Sequence, residues 1–325
     1  MGGFRTLLSC ATAALVAAAL TGPAASQQFP EHPITIVVPT SPGEPADALS
    51  RILAELMHED LGQPIVVNNV VGGGGAKGQL AVKNAPADGY MVLNNWVSTH
   101  VVTPLFNPEV GYSIDDYEPL GGMLQLPFIL VTSKDNPATD LPSFVEWAKA
   151  QGRPIRFGGC DALSLPRMLA EKFNEVAAVD GQGVPFPGCM PDNVKAVLDG
   201  SVDYAITVPN AVNVFGDQIT ALGTLSPERL AVLPDVATAT EQGIDLKLGS
   251  AGQGWGGFAV KKGTPPEVVD RLTQVFQKWL TSAEFQERAV ALKLTPKYSS
   301  PAEFGETWIL ARDGLAPMVA KLKAQ

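Results

Sequence analysis

"PITIVVPTSPGEPADALSRILAELMHEDLGQPIVVNNVVGGGGAKGQLAVKNAPADGYMVL", residues 33–93, is the stretch whose reading decides the fold. Its first seven residues are a short β-branched apolar run, which predicts a buried strand. The segment Ala46–Gly62 then places Leu49, Ile52, Leu53, Leu56 and Met57 on one helical face, with Gly62 just past the end. "PIVVNN" reads as a second strand, "KGQLAVKNA" as a second helix and "YMVLNN" as a third strand. This βαβαβ rhythm predicts a parallel α/β sheet.

A second series follows "LGGMLQLPFILVTS". Helices are expected in "LPSFVEWAKA", "PRMLAEKFNEV" and "DNVKAVLDG", strands in "IRFGG" and "YAITV", and a further segment near "VPF". Two successive α/β units suggest two lobes. "WGGFAVKK" is another strand-like run, and Pro265 to Gln325 reads as mostly helical.

Between the second strand and the second helix stand four consecutive glycines, Gly72 to Gly75. Gly73, Gly75 and Gly78 satisfy G-x-G-x-x-G, but a dinucleotide site needs an acid at the end of the next strand, and that strand ends in Asn94 and Asn95. Walker-type phosphate binding fails as well, because Gly78 follows Lys77 where Ser or Thr must reach Mg²⁺. Two readings of the loop remain. It cradles an anion such as a carboxylate on free N–H groups at a helix start, or it only makes a tight turn.

The amino terminus bounds the compartment. Arg5, an Ala/Leu-rich run to Leu20, the Gly22-Pro23 break and Ala24-Ala25-Ser26 have the anatomy of a secretory signal peptide, residues 1–26. "LLSC", ending at Cys10, leaves no room for the apolar segment of a lipoprotein signal. A periplasmic, soluble mature chain of about 300 residues follows, and that length fits two domains. With 23 basic against 33 acidic residues, the net charge of −10 has the wrong sign for binding a phosphate backbone, so no nucleic-acid partner is expected.

Catalytic chemistry is sparse in the pattern. His32, His58 and His100 lack metal-ligand spacing, and the chain contains no G-x-S-x-G elbow, so neither a metal nor a cofactor is expected. His32 is placed near the start of the mature chain and His58 on the polar face of the first helix, both solvated. A secreted hydrolase stays in view because triad partners converge in space and not in sequence.

The combination of Pro39, Pro42, Gly43 and Asp47 with Asn69, Gly72, Gly74, Gly75, Gly78 and "APADGY" resembles the tripartite tricarboxylate transporter substrate-binding proteins, the Bug-type extracytoplasmic receptors. The likeness continues through "LPDVATATEQG" and "GFAVKKGTPPEVVDRL". It implies an α/β fold of periplasmic-binding-protein type, two lobes each with a mostly parallel sheet flanked by helices and a ligand cleft between them. The lobes would be residues 27–126, then 127–254, with 255–325 returning to the first lobe and forming the carboxy-terminal helices. It further implies a non-enzymatic, monomeric receptor that binds a small organic or amino-acid-like carboxylate and delivers it to the membrane subunits of a tripartite transporter. A receptor that signals to a membrane sensor is the alternative.

Carried over position by position, the resemblance implies ligand contacts from Thr40, Ser41, Gly43, Glu44 and Asp47 in the first loop and from Gly74, Gly75 and Ala76 in the second. The third loop offers Ser98 and Thr99, and the second lobe offers Asp161, Ser164 and Arg167. Arg167 stands where many relatives have His, and its planar fork suits a second carboxylate. Glu44 replaces a glycine and Asp161 adds an acid. Either both face solvent, or the ligand pairs one carboxylate with a cationic or hydrogen-donating group. Asp47, at a helix start, either caps N–H groups or touches ligand. Trp96 and Trp255 are cleft aromatics or packing residues. The family comparison also puts Cys160 and Cys189 on neighbouring loops, which implies a disulfide closing a loop of about 30 residues.

Overall fold

The computed structural model describes residues 29–159, 164–186, 190–248, 252–292, 294 and 296–323. The signal segment 1–26, Asp161 and the Cys160–Cys189 pair lie outside the described residues.

The first sheet grows from β1 (Ile34–Val38), whose β-branched residues are almost all buried. α1 (Pro45–Leu61) begins with a proline in its first turn and ends at Gly62, whose φ of 65° lets its N–H turn back to the His58 carbonyl at 2.9 Å. Its apolar face, Leu49, Ile52, Leu53, Leu56 and Met57, packs with Ile36 and Val38 of β1. Full burial of one such side chain contributes about 1.5–3 kcal/mol. β2 (Ile65–Asn69), α2 (Ala76–Asn84) and β3 (Met91–Trp96) follow, and β1 pairs in parallel with both β2 and β3. A π-helical turn, Ser98–Val102, leads into the short α3 (Thr103–Phe106).

β4 (Tyr117–Leu126) is the last strand of the first sheet before the chain passes to the second, which opens with β5 (Ile129–Ser133). Next come α4 (Leu141–Ala150), β6 (Ile155–Gly159), α5 (Leu165–Ala177), β7 (Gly181–Pro185), α6 (Met190–Leu198), β8 (Tyr204–Thr207), α7 (Asn210–Phe215) and β9 (Ile219–Thr224). β10 (Gly254–Lys261) brings the chain back, followed by α8 (Pro266–Leu280), α9 (Ala283–Ala291), β11 (Pro296–Ser299) and α10 (Pro301–Lys323).

Strand orders are β11-β4-β10-β3-β1-β2 and β7-β6-β8-β5-β9, which gives two α/β lobes. The expectation of mostly parallel sheets needs correction, for both are mixed. β10 inserts antiparallel to β3 and β4, β11 runs antiparallel to β4, and β5 runs antiparallel to β8 and β9. Strands that arrive from the other sheet or by a short link have no crossover helix to force parallel pairing.

α10 touches elements of both lobes. Its first half lays Phe304 edge-on to Trp255 and Trp308 against Phe304, and a β-carbon at Gly257 would fall 2.5 Å from the Phe304 ring, so the bare backbone is what admits the helix. Its second half borders α5, with Met318, Lys321 and Leu322 beside Met168, Glu171 and Glu175, and Lys321 pairs with Glu175 at 3.3 Å. Pro317 lies inside the helix between these two halves.

Candidate functional site

β1, with parallel neighbours on both sides, sends its carboxyl end to the same edge as those of β2 and β3, where α/β sheets hold ligands. The three expected first-lobe loops do meet there. Gly78 of α2 sits against Pro39, and the Thr103 hydroxyl lies between the carbonyls of Gly74, at 2.9 Å, and Ser98, at 3.0 Å.

In the first loop, two of the chain's own carboxylates take the amides. Glu44, the residue capping α1, accepts the Ser41 N–H at 3.2 Å, and Asp47 accepts the Gly43 N–H at 2.8 Å. Asp47 is the third residue of the helix and not its cap, so its bond fastens the preceding loop instead of the helix end. Arg51 grips the buried Asp47 from one turn on, at 2.8 Å, and donates to the Asn69 side chain at 3.0 Å. Asn69 in turn donates to the Thr40 carbonyl at 3.1 Å. Burial alone would raise the Asp47 pKa, but Arg51, the Gly43 amide and Asn69 together outweigh it and hold the carboxyl below its ordinary value. Arg51 and Asn69 were absent from the expected site. The i,i+4 spacing of Asp47 and Arg51 was the signal that could have found the first of them.

The glycine loop is the opposite case. Gly72, Gly73, Gly74 and Gly75 all have positive φ, from 62° to 134°. The carbonyls of Gly72, Gly73 and Gly75 accept the amides of Lys77, Ala76 and Gln79, which closes the first turn of α2. The N–H groups of Gly74 and Gly75 have no acceptor among the described residues. Gly74 is exposed and Gly75 buried against Thr99. Ala76 is buried at the first position of the helix.

Thr99 points inward. Its hydroxyl accepts from Gln79 and donates to the Trp96 carbonyl, both at 3.3 Å, so it supports the loop, while Ser98 is exposed. Because the Gln79 amide nitrogen donates to Thr99, its oxygen faces His100 Nδ1 at 3.2 Å, which assigns the proton to Nδ1. Burial lowers the His100 pKa to about 3, so the ring is neutral. Tyr112 and Tyr117 donate from beneath to the carbonyls of Thr99 and Gln79. Asn95, fully buried at the end of β3, has neither amide atom partnered among the described residues.

Trp255 is buried in the core, and Trp96 donates to Asn94 while its ring covers Gly256. His32 stacks on Tyr90 and His58 reaches the Gln63 carbonyl, both at exposed positions. A cavity of about 960 Å³, lined by Phe29, His32, Tyr90 and Arg271, opens at the other end of the sheet, where the parallel strands begin and no such loops converge. Among the described residues no group of His, Cys, Asp and Glu could hold a metal, and no helix is long and apolar enough to cross a membrane.

In the second lobe, Ser164 caps α5, its hydroxyl accepting the Arg167 N–H at 3.4 Å. Arg167 is held: Nε and Nη2 donate to Glu171 at 3.0 and 2.9 Å, and the guanidinium lies 5.1 Å over Phe157. β-Carbons at Gly159 or Gly183 would collide with it, so these glycines form its slot. Asp161 and Cys160 lie outside the described residues, as does Cys189.

Comparison with known proteins agrees with this architecture. A protein of Pseudomonas sp. strain P51, described as a UPF0065 protein in the tcbD-tcbE intergenic region, is 31% identical over 280 residues, covering 84% of this chain and 81% of its own. A TctC solute binding protein from Polaromonas superimposes with a TM-score of 0.79 at 24% identity, over 90% of this chain and 99% of its own. MatC from Rhodopseudomonas palustris, solved with bound malate, gives 0.69 at 26% identity over 90% and 100%. Family and fold are those of solute-binding receptors and not of enzymes. Residues 49–305 match the model of the tripartite tricarboxylate transporter family receptor, and the chain belongs to that family.

Proposed function

We propose that the protein is a periplasmic receptor that binds a small organic carboxylate between its lobes and hands it to the membrane subunits of a tripartite tricarboxylate-type transporter. The observation that carries this reading is the pair of free amides, Gly74 and Gly75, at the start of α2 where three loops converge. Two N–H donors at a helix start are suited to a carboxylate, and the four positive φ angles hold them there. The malate-bound relative supports the ligand class.

In this proposal the first lobe comprises residues 27–126 and 255–325 and the second 127–254, which agrees with the sheet to which each strand belongs. Thr40, Ser41 and Ser98 face the ligand from the first lobe in this reading, and Ser164 and Arg167 from the second; Asp161 is assigned there from the sequence alone. The receptor works as a monomer without cofactor. The Cys160–Cys189 bridge rests on sequence alone, and thiol counting under denaturing, non-reducing conditions tests it.

The test is thermal stability of protein freed of ligand by unfolding and refolding, against a panel of mono-, di- and tricarboxylates. A ligand of the folded state raises the melting temperature by linkage. No shift with any carboxylate overturns the proposal. Co-expression with the two membrane subunits and uptake of the ligand found tests delivery.

A further inference from the structure

The charges around the three first-lobe loops and the start of α5 can be counted from their partners. Asp47 is neutralised by Arg51 at 2.8 Å, and Arg167 by Glu171 at 2.9 Å. Asp192, near the start of α6, is paired with Lys195 at 3.3 Å. His100 is buried and neutral. Among the described residues two charges are left, Lys77 and Glu44, and neither has an ion-pair partner there.

These two charges stand on different loops. Lys77 is folded back onto the glycine loop, its Nζ 3.3 Å from where a β-carbon on Gly72 would lie, two residues before the free amides of Gly74 and Gly75. Glu44 stands on the neighbouring first loop, exposed, with Oε1 on the Ser41 N–H. Its other oxygen makes no hydrogen bond within the described residues. The amides that a second ligand carboxylate could have used on this loop, those of Ser41 and Gly43, are already taken by Glu44 and Asp47.

From this we infer that the receptor selects a ligand of mixed charge: one carboxylate at the Lys77 glycine loop and one ammonium or other strong hydrogen-bond donor at Glu44. The inference rests on the carboxylate-receptor reading and narrows it. A second carboxylate at Glu44 meets a like charge and no free donor on its loop, whereas an ammonium meets an unpaired acceptor. Arg167 does not reverse this, because Glu171 and the Phe157 ring already hold its fork. In the sequence, Asp161 adds a further acid to the second-lobe loop.

The experiment is calorimetric titration of refolded, ligand-free protein with chain-matched pairs: succinate against 4-aminobutyrate, glutarate against 5-aminopentanoate, and adipate against 6-aminohexanoate, with malate alongside. In the wild type at least one amino acid is expected to bind about fivefold more tightly than its diacid, the upper end for one exposed charge contact. Glu44→Gln should erase that preference and Glu44→Gly, whose glycine remains an acceptable helix cap, should do the same. Lys77→Gln should weaken both members of a pair, since each keeps one carboxylate. Diacids or malate binding as tightly as or more tightly than the amino acids overturns the inference and leaves the carboxylate receptor standing. A preference that survives in both Glu44 variants also overturns it, whereas no binding by any carboxylate overturns the receptor reading with it.

Discussion

Gly75 lies so close to Thr99 that a β-carbon on the glycine would fall 2.4 Å from the threonine methyl, while its own φ is 88°. The loop proposed to hold the ligand is therefore shaped by a contact with a residue whose hydroxyl faces the interior. Gly75→Ala should lower stability by about 2–4 kcal/mol, combining a left-handed backbone penalty with overpacking. Thr99→Ser in the same chain should recover part of this, because it removes the nearest atom. Urea unfolding of the two variants measures the difference. Gly74→Val, at an exposed position with φ 62° where the Thr103 hydroxyl at 3.2 Å is the nearest atom, should lose ligand affinity, with a stability loss set by backbone strain and not by a clash.

Asp47 ties the first loop to α1, and its carboxyl is held below its ordinary pKa. A depressed carboxylate stabilises the fold fully above its unfolded pKa of about 3.9, and that contribution disappears as pH falls through the lowered folded value. Asp47→Asn should cost about 1–3 kcal/mol at pH 7, the range for a hydrogen-bonded charge. The gap to the wild type should close in acid. Denaturation at pH 7 and at successive points below pH 4 checks both parts.

His100 acts with the same sign over a higher window. With a folded pKa of about 3 against an ordinary value of 6.5, the unfolded chain binds the extra proton between those limits. Its contribution makes stability fall as pH drops from 6.5 toward 3, with a limiting slope of about 1.4 kcal/mol per pH unit. His100→Gln should flatten the stability profile over that window, even if the variant is less stable at pH 7. Equal slopes for both proteins between pH 6 and 4 would contradict the assignment.

Arg167 and Gly183 test the second-lobe slot. Gly183→Ala would place a β-carbon 2.2 Å from the guanidinium carbon, so it should cost about 1–3 kcal/mol. Adding Arg167→Ala removes the group that clashes. The double variant should then be more stable than the sum of the singles by about 1 kcal/mol or more, as expected for residues in contact. Additive losses would mean the two do not touch.

The elements that were legible were those with a local period. The run Ile34–Val38, the apolar face of α1 and the turn at Gly62 follow from nearest-neighbour sterics and a 3.6-residue repeat. β10 was visible as a strand, but its antiparallel place between β3 and β4 depends on a chain return from the other sheet that no local pattern encodes. β9 and the four-residue β11 passed unread because short strands carry little periodicity, and β11 sits among helices and begins with Pro296. At the site, spacing found the loops and not the direction of their side chains. Thr99 turns inward to Gln79, Arg167 folds onto Glu171, and Glu44 turns back onto Ser41. The partner of Thr99 is distant in sequence, and that of Glu44 is a backbone amide; only Arg167 turns to a side chain at the readable spacing of four residues.

A proline has no amide hydrogen, so the Asp313 carbonyl, four residues before Pro317, lacks its usual donor within α10. The helix is thus softest between the half bound to the first lobe and the half whose Lys321 reaches Glu175 on the second. In the proposed receptor, a swing of one lobe about the other would bend α10 there, as a shaft with a universal joint follows a turning wheel. The last turn would then serve as a pointer, its angle to the rest of the shaft reading out how far the lobes had swung together. A pair of small dyes, one on each side of the joint, would convert that angle into a signal without touching any group that holds the ligand.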